Sequence, residues 1–402
     1  MSDQKQKRED RSQLTRPQEL IYFAIIALFW FSQYVHIPFQ TPYLQGIGVS
    51  AGTIGVIVGA YGITQVILRL PVGVFADKAG RHKKIMMTGC LAVTLSCLFR
   101  SLLPGAAGFF IANLFAGIAS GMWISFFVFY IGKFPDSGQQ SATSRVMIFF
   151  NGGMLLGFIV SSLTYSVLGM SRMCFLGVLS GVAALILTGF LREPLPDRSP
   201  QTVPELLRVC TGKRILLFSV IALLQQGIQM ATTMSFTNQY LKGCGASNLL
   251  VGLSSVIYML SAVFFSSLAS RGACRKRGAK FWIPVIFCIV AAYCITVPRI
   301  TLIPLILLLQ IFPGMSQGWL LTLATSEAMR DVPHEKKSTA MGFFNAVYAV
   351  GITVFPMFTG SVIAGSGMKA GYLLLACIAL CGAAAVLLFY RFTDKKLTAF
   401  PQ

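Results

Sequence analysis

The sequence predicts an all-α membrane protein with twelve transmembrane helices in two parallel six-helix repeats. Three observations carry this. Of 402 residues, 55% are hydrophobic and only 11% charged, where soluble domains carry about 25% charged residues. The mean hydropathy is +0.71, and the apolar residues gather in runs near the ~20 residues that a bilayer core requires. The second half of the chain also repeats positions of the first.

The apolar runs fall at about 20–44, 51–72, 85–103, 108–131, 146–168, 173–191, 215–240, 248–270, 281–298, 302–326, 339–364 and 371–391. All are expected to be helices, because a helix satisfies its own backbone in lipid and an open sheet edge does not. The polar stretch 1–19 lacks the short apolar core and small-residue cleavage site of a signal peptide. It reads as a tail before an N-terminal bundle, 20–191. The Pro-rich polar stretch 192–213 reads as a linker. A C-terminal bundle, 214–391, and a tail, 392–402, follow.

Positive charge orients the chain. With a cytoplasmic N-terminus, 27 of the 33 Lys and Arg fall in cytoplasmic segments. Five (Arg100, Arg172, Lys242, Arg299, Lys369) fall on the other side, and Arg69 lies inside a span. This is the positive-inside pattern of a plasma or inner membrane, with both termini cytoplasmic. The net charge of +20 therefore reads as a membrane signature, not a nucleic-acid one. The ten cysteines form no CxxC pair or Cys/His cluster, so no metal and no cofactor is expected.

The repeat is explicit. Phe39, Tyr43, Leu44, Gly46, Gly48, Ser50 and Gly55 recur as Phe236, Tyr240, Leu241, Gly243, Gly245, Ser247 and Gly252, and Tyr61 recurs as Tyr258, all at an offset of 197. Phe149, Phe150, Asn151 and Gly157 recur as Phe343, Phe344, Asn345 and Gly351 at 194. An even number of spans per half gives both halves one orientation, which is a parallel transporter repeat.

After span 2 the chain reads Gly73-Val74-Phe75-Ala76-Asp77-Lys78-Ala79-Gly80-Arg81-His82-Lys83-Lys84. This resembles the G-x-x-x-D-x-x-G-R-x-[RK] signature of the major facilitator superfamily, and the span count, orientation and repeat match that family over the whole chain. The resemblance implies a gating role for Gly73, Asp77, Gly80, Arg81 and Lys83. It implies that Asp77 meets the N-terminus of span 11, at Ser338-Thr339-Ala340, when the cytoplasmic side closes. The plainer reading is that Asp77 neutralises Arg81 and Lys83. The second-half counterpart has Cys274 where Asp77 would fall. In span 4, Asn113 stands where many proton-coupled members have an arginine. In span 5, Phe158 replaces the proline of the antiporter pattern.

The resemblance also implies that spans 1, 4, 7 and 10 line a central cavity. Their polar residues fall at helical spacings: Gln33, His36 and Gln40; Asn113; Gln226, Gln229 and Thr233; Gln310 and Gln317. Such stripes in lipid call for a wet cavity or for interhelical hydrogen bonds. Arg69 reads either as an anion site facing the cavity or as a side chain snorkelling to the cytoplasmic edge. His36 and Glu327 are the candidates for proton coupling. All 13 Asp and Glu lie in loops, tails or span ends, so the cavity suits neutral or anionic solutes.

The expected protein is a monomeric secondary transporter of a small organic solute, working by alternating access among membrane lipids, with protons as a candidate coupling ion. A multidrug or metabolite efflux pump is the alternative within the class, and a non-transporting membrane sensor is the alternative outside it. No span carries a catalytic constellation, so an enzyme is not expected.

Overall fold

The computed structural model describes residues 15–79, 81–131, 133–134, 136–193, 208–269, 272–332 and 337–398. Among them, ten helices are long and apolar enough to cross a membrane: α1 (Arg16–Gly46), α2 (Ala51–Phe75), α3 (Lys83–Leu102), α4 (Ala106–Ile131), α5 (Ala142–Phe190), α6 (Lys213–Gly243), α7 (Asn248–Leu268), α8 (Gly278–Arg299), α9 (Ile303–Met329) and α10 (Thr339–Arg391). α5 and α10, at 49 and 53 residues, are about twice the length that a bilayer core needs. Each is interrupted once, at Gly169 (φ 68°, ψ −179°) and Gly367 (φ 83°, ψ 172°). That left-handed region is strained for any residue with a Cβ, which is why a glycine stands at each break, where the sequence reading placed short loops.

The helices are not uniform rods, and their breaks follow from local chemistry. Pro38 has no N–H to offer the Tyr34 carbonyl, and its ring crowds that carbonyl. α1 accordingly breaks at Val35–His36, between Arg16–Tyr34 and Ile37–Gly46. Pro313 acts in the same way on α9, which breaks at Gln310. α6 and α9 each also contain one widened π turn, Thr232–Phe236 and Ser316–Leu320.

Contacts at glycine fix how the helices cross. A Cβ on Gly55 (α2) would overlap the Pro356 carbonyl of α10, and one on Gly252 (α7) would overlap the Ser162 hydroxyl of α5. These crossings are related by the offsets seen in the sequence, 197 for the glycines and 194 for their partners. α2 and α10 stay in antiparallel contact further along, with Gly59 against Thr353 and Gly62 against Thr353 and the Ala349 carbonyl. Gly157 of α5 lies against the backbone of α1 at Val35 (3.1 Å), and Gly351 of α10 lies against the Leu223 backbone of α6. Without a hydrophobic force between helices in lipid, such close backbone approach is the main source of association.

Two apolar cores fill the remaining space. One joins Val35, Phe39, Ile54 and Phe109 to Phe218, Ile283, Phe287 and Tyr372. The other gathers Tyr22, Phe29, Trp30, Phe126 and Phe158. Ile148, Leu163, Val167, Phe264, Phe358 and Leu387 point outward and exposed, as expected of helices whose outer surface meets lipid.

Neighbouring glycines test this packing. A Cβ on Gly153 would overlap the Ala27 carbonyl of α1, whereas one on Gly152 would meet open space. Gly153→Ala is expected to lower the melting temperature of the detergent-purified protein by several degrees. Gly152→Ala should leave it unchanged or raise it slightly, since alanine is the better helix former. A fluorescence melt of both variants checks this, and equal shifts would contradict the crossing.

Candidate functional site

The polar residues of α1, α4, α6 and α9 converge inside the bundle. Gln33 Nε2 donates to the Ala116 carbonyl and to Ser120 Oγ, both at 3.0 Å. Ser120 shares a 2.6 Å hydrogen bond with the Tyr61 hydroxyl. A related chain runs through α6, α7 and α9. There Gln225 Nε2 donates to Gln229 Oε1 and to Gln317 Oε1, both at 3.1 Å, and Gln229 Nε2 donates to the Tyr258 hydroxyl. Tyr61 and Tyr258 are the repeat pair. Tyr34 packs against the apolar cluster that includes Tyr258. Amides and tyrosines from both parts of the chain thus meet around one region, and no carboxylate joins them among the described residues.

The other predicted residues fall as follows. His36 is buried at the α1 break with neither ring nitrogen hydrogen-bonded. Gln40 and Thr233 are buried and keep an unpartnered oxygen. Gln310 Nε2 donates to the Tyr293 hydroxyl at 3.2 Å. Gln226 is half-buried, and the position that enters the network is its neighbour Gln225. A small cavity sits there, lined by Gln225, Gln229, Thr232, Tyr293 and Ser316 among others. Gln225 and Gln226 both lie within one regular turn of Gln229, and the approach of Gln317 selects Gln225.

Arg69 follows neither sequence reading alone. Its guanidinium donates to the Asn345 carbonyl of α10 at 2.9 Å and stacks over the Tyr348 ring at 4.7 Å. It therefore ties α2 to α10 from a half-buried position next to the tyrosines. Glu327 is held at the end of α9. Arg214 lies 3.3 Å from it, Arg330 lies 3.7 Å from it, and the Tyr390 hydroxyl donates to it at 3.1 Å.

In the signature segment, Gly73 lies next to Ile124, where a Cβ would come within 3.8 Å. Arg81 is exposed. Lys83 Nζ donates to the Gly189 and Leu191 carbonyls at 2.7 and 2.8 Å, and Glu193 accepts from the His82 and Lys83 backbone N–H groups. An ammonium thus sits on the last carbonyls of α5 and a carboxylate on the first N–H groups of α3. Such dipole contacts contribute ~0.3–1 kcal/mol each. Gly80 and residues 270–271, and the side chains of Asp77, Cys274 and Ser338, lie outside what the structure describes.

One residue corrects the sequence reading. Arg100, counted there with the charges of the outer loops, is fully buried at the end of α3. It donates to Ser96 Oγ and, at 2.7 Å, to Asn113 Oδ1. Asn113 in turn donates to the Ile57 carbonyl at 2.8 Å. The arginine that the family resemblance expects at position 113 is absent, yet a guanidinium reaches that asparagine from α3.

Gln229→Leu separates a chamber from mere helix glue. It removes the link to Tyr258 while leaving Gln225 its bond to Gln317. A binding role predicts a loss of apparent affinity of tenfold or more, about 1.4 kcal/mol, with the melting temperature little changed. A melting shift without an affinity change would make the network structural only. Transport kinetics and a thermal melt on the same preparation read both.

Comparisons with known proteins identify the family and the fold. A family model described as Major Facilitator Superfamily matches residues 22–349 and 285–401. The uncharacterized MFS-type transporter MJ1560 of Methanocaldococcus jannaschii is 23% identical over 341 residues, covering 81% of this chain and 84% of that protein. The uncharacterized MFS-type transporter YtbD of Bacillus subtilis is 27% identical over 190 residues, 46% of this chain and 48% of that protein. Among solved structures, a bacterial homolog of the human lysosomal transporter Spinster superposes with a TM-score of 0.77 at 13% identity, over 94% of this chain and 98% of that one. The nucleoside transporter NupG gives 0.72 at 15%, over 91% and 98%. The chain belongs to the major facilitator superfamily and is a multi-span membrane protein.

Proposed function

We propose that the protein is a secondary transporter of the plasma membrane that moves a small neutral or anionic organic solute by alternating access. The chain crosses the membrane twelve times, α5 and α10 each supplying two crossings, with both termini cytoplasmic. Residues 20–191 and 214–391 form two six-helix halves that rock about the amide and tyrosine region between them. The observation that carries the reading is that polar region itself. It is built from amides, hydroxyls and tyrosines, with the Arg69 guanidinium beside Tyr348. An interior of this composition hydrogen-bonds neutral solutes and attracts anions, and among the described residues it offers no carboxylate to balance an organic cation. A nucleoside, the solute class named for the structurally similar NupG, is one solute that such hydrogen-bonding groups suit. A proton coupled to this cycle would be carried by His36, since Glu327 is engaged by Arg214 and Tyr390.

Counterflow in proteoliposomes tests the substrate class. Panels of neutral, anionic and permanently cationic solutes are compared at matched protein content. Exchange is expected within the first two panels. Exchange confined to the cations would overturn the reading and favour a cationic-drug exporter. Arg69 variants refine it. Arg69→Lys should keep part of the activity with weaker apparent affinity, because lysine supplies a point charge without the planar fork. Arg69→Gln should lose much more, and an unimpaired Gln variant would remove Arg69 from the site.

The cytoplasmic latch is the second part of the proposal. The described pairs between α2 and α10 run in antiparallel register from Gly55–Pro356 to Arg69–Asn345. Continuing that register leads from Arg69 to Asp77 on one strand of the contact and from Asn345 to Ser338–Thr339 on the other. A carboxylate against those N–H groups would be favourable only while the halves are closed there. Asp77→Asn should therefore insert and fold normally but transport slowly, and normal turnover at equal expression would refute the latch.

A further inference from the structure

We propose that Arg100, held beside Asn113, forms a binding site for a compact monovalent anion, either a halide or the carboxylate of a small solute. Arg100 is the largest fully buried side chain of the described protein. Its donors reach Ser96 and Asn113, both neutral, and its Nε is buried with no hydrogen-bond partner. The Phe109 ring, 5.9 Å away, supplies only a weak aromatic contact. His36, at the α1 break, is also buried with both ring nitrogens unpartnered. The Cys97 thiol donates to the Ser32 carbonyl at 3.2 Å, so it is protonated and neutral.

The missing countercharge cannot come from elsewhere in the chain on this side of the membrane. All 13 Asp and Glu fall in the segments that the Lys and Arg distribution places in the cytoplasm. Arg100 lies seventeen residues along α3 from Lys83, about 25 Å from the end where Glu193 sits. A buried guanidinium with no carboxylate within reach is costly unless a bound anion balances it.

The fold does not require this charge. At the offset of 197, Ser96, Arg100 and Asn113 correspond to Tyr293, Val297 and Gln310. That second set is neutral: Gln310 donates to the Tyr293 hydroxyl, Tyr293 and Tyr372 share hydrogen bonds with Thr237 at 3.1 and 2.7 Å, and Val297 is fully buried. One half thus places valine where the other places an uncompensated cation. The site differs from the proposed Arg69 position and does not depend on the transport reading, because binding alone reveals it.

The test is a thermal melt of the full-length protein in detergent at constant ionic strength, replacing bulky sodium isethionate stepwise with a probe salt. Sodium chloride and bromide form one arm and sodium formate and acetate the other. The wild type should show a saturable rise of about 2–4 °C in at least one arm, and the arm that responds names the source of the anion. Arg100→Val should lose the response and melt no lower than the wild type in isethionate. Asn113→Asp, which supplies the missing carboxylate internally, should also lose it while keeping the arginine. This variant decides the matter if Arg100→Val does not fold. No saturable response in the wild type, or an equal response in Arg100→Val or Asn113→Asp, would overturn the site.

Discussion

Backbone contact at glycine is the constraint on which the arrangement depends. Gly55 on Pro356 and Gly252 on Ser162 bring α2 to α10 and α7 to α5 at separations that no side chain permits. In lipid, dispersion and polar contacts between helices do the work that burial of apolar surface does in water. The closest approach therefore sets the register of everything further along the pair. Gly59 and Gly62 follow on Thr353 and Ala349, and Arg69 arrives over Asn345 and Tyr348. Arg69 is consequently positioned by the packing above it, and its charge is held at the border between two long helices.

The second organising feature is a polar interior that uses no acids. Amide side chains bridge helices by donating and accepting at once, as Gln225 and Gln229 do, and hydroxyls relay these bonds. Each such group lowers the cost of an empty chamber, yet each can exchange its partner for a solute. Several are left with a spare oxygen, among them Gln33, Gln40, Gln225 and Gln310. Proline-induced breaks place two of the polar positions, His36 and Gln310, where regular helix gives way. Irregular backbone at membrane depth is tolerated where it is buried in protein or lines a cavity.

Much of this was legible in the sequence. The apolar runs, their repeat and the signature after α2 all belong to backbone-level patterns, and lipid leaves the backbone few alternatives to helix. The stripes of α1 and α6 could be read because burial of polar groups in an apolar run demands a partner. The errors have physical sources. Gln225 and Gln226 both lie within one turn of Gln229, so periodicity alone does not separate them; the tertiary approach of Gln317 does. Arg100 was read as an outer-loop charge because its distance from the apolar centre says nothing about whether it turns inward. Only the tertiary approach of Asn113 reveals that it does. Tyr34 and Tyr348 gave no periodic signal, although the repeat of Tyr61 at Tyr258 pointed to that region. Gly169 and Gly367 fall in the short gaps that the sequence leaves between apolar runs, and each helix breaks there at one residue of positive φ.

The central claim is that two halves rock about this interior, and paired distances across both ends of the bundle test it most directly. Spin labels at Lys84 and Phe281 report one end, and labels at Leu103 and Leu302 report the other; all four positions are exposed. Both pairs would be measured in a cysteine-free background, before and after adding a solute that exchanges in counterflow. Alternating access predicts that one distance lengthens as the other shortens. Distances that move together, or that stay fixed under saturating solute, would contradict it.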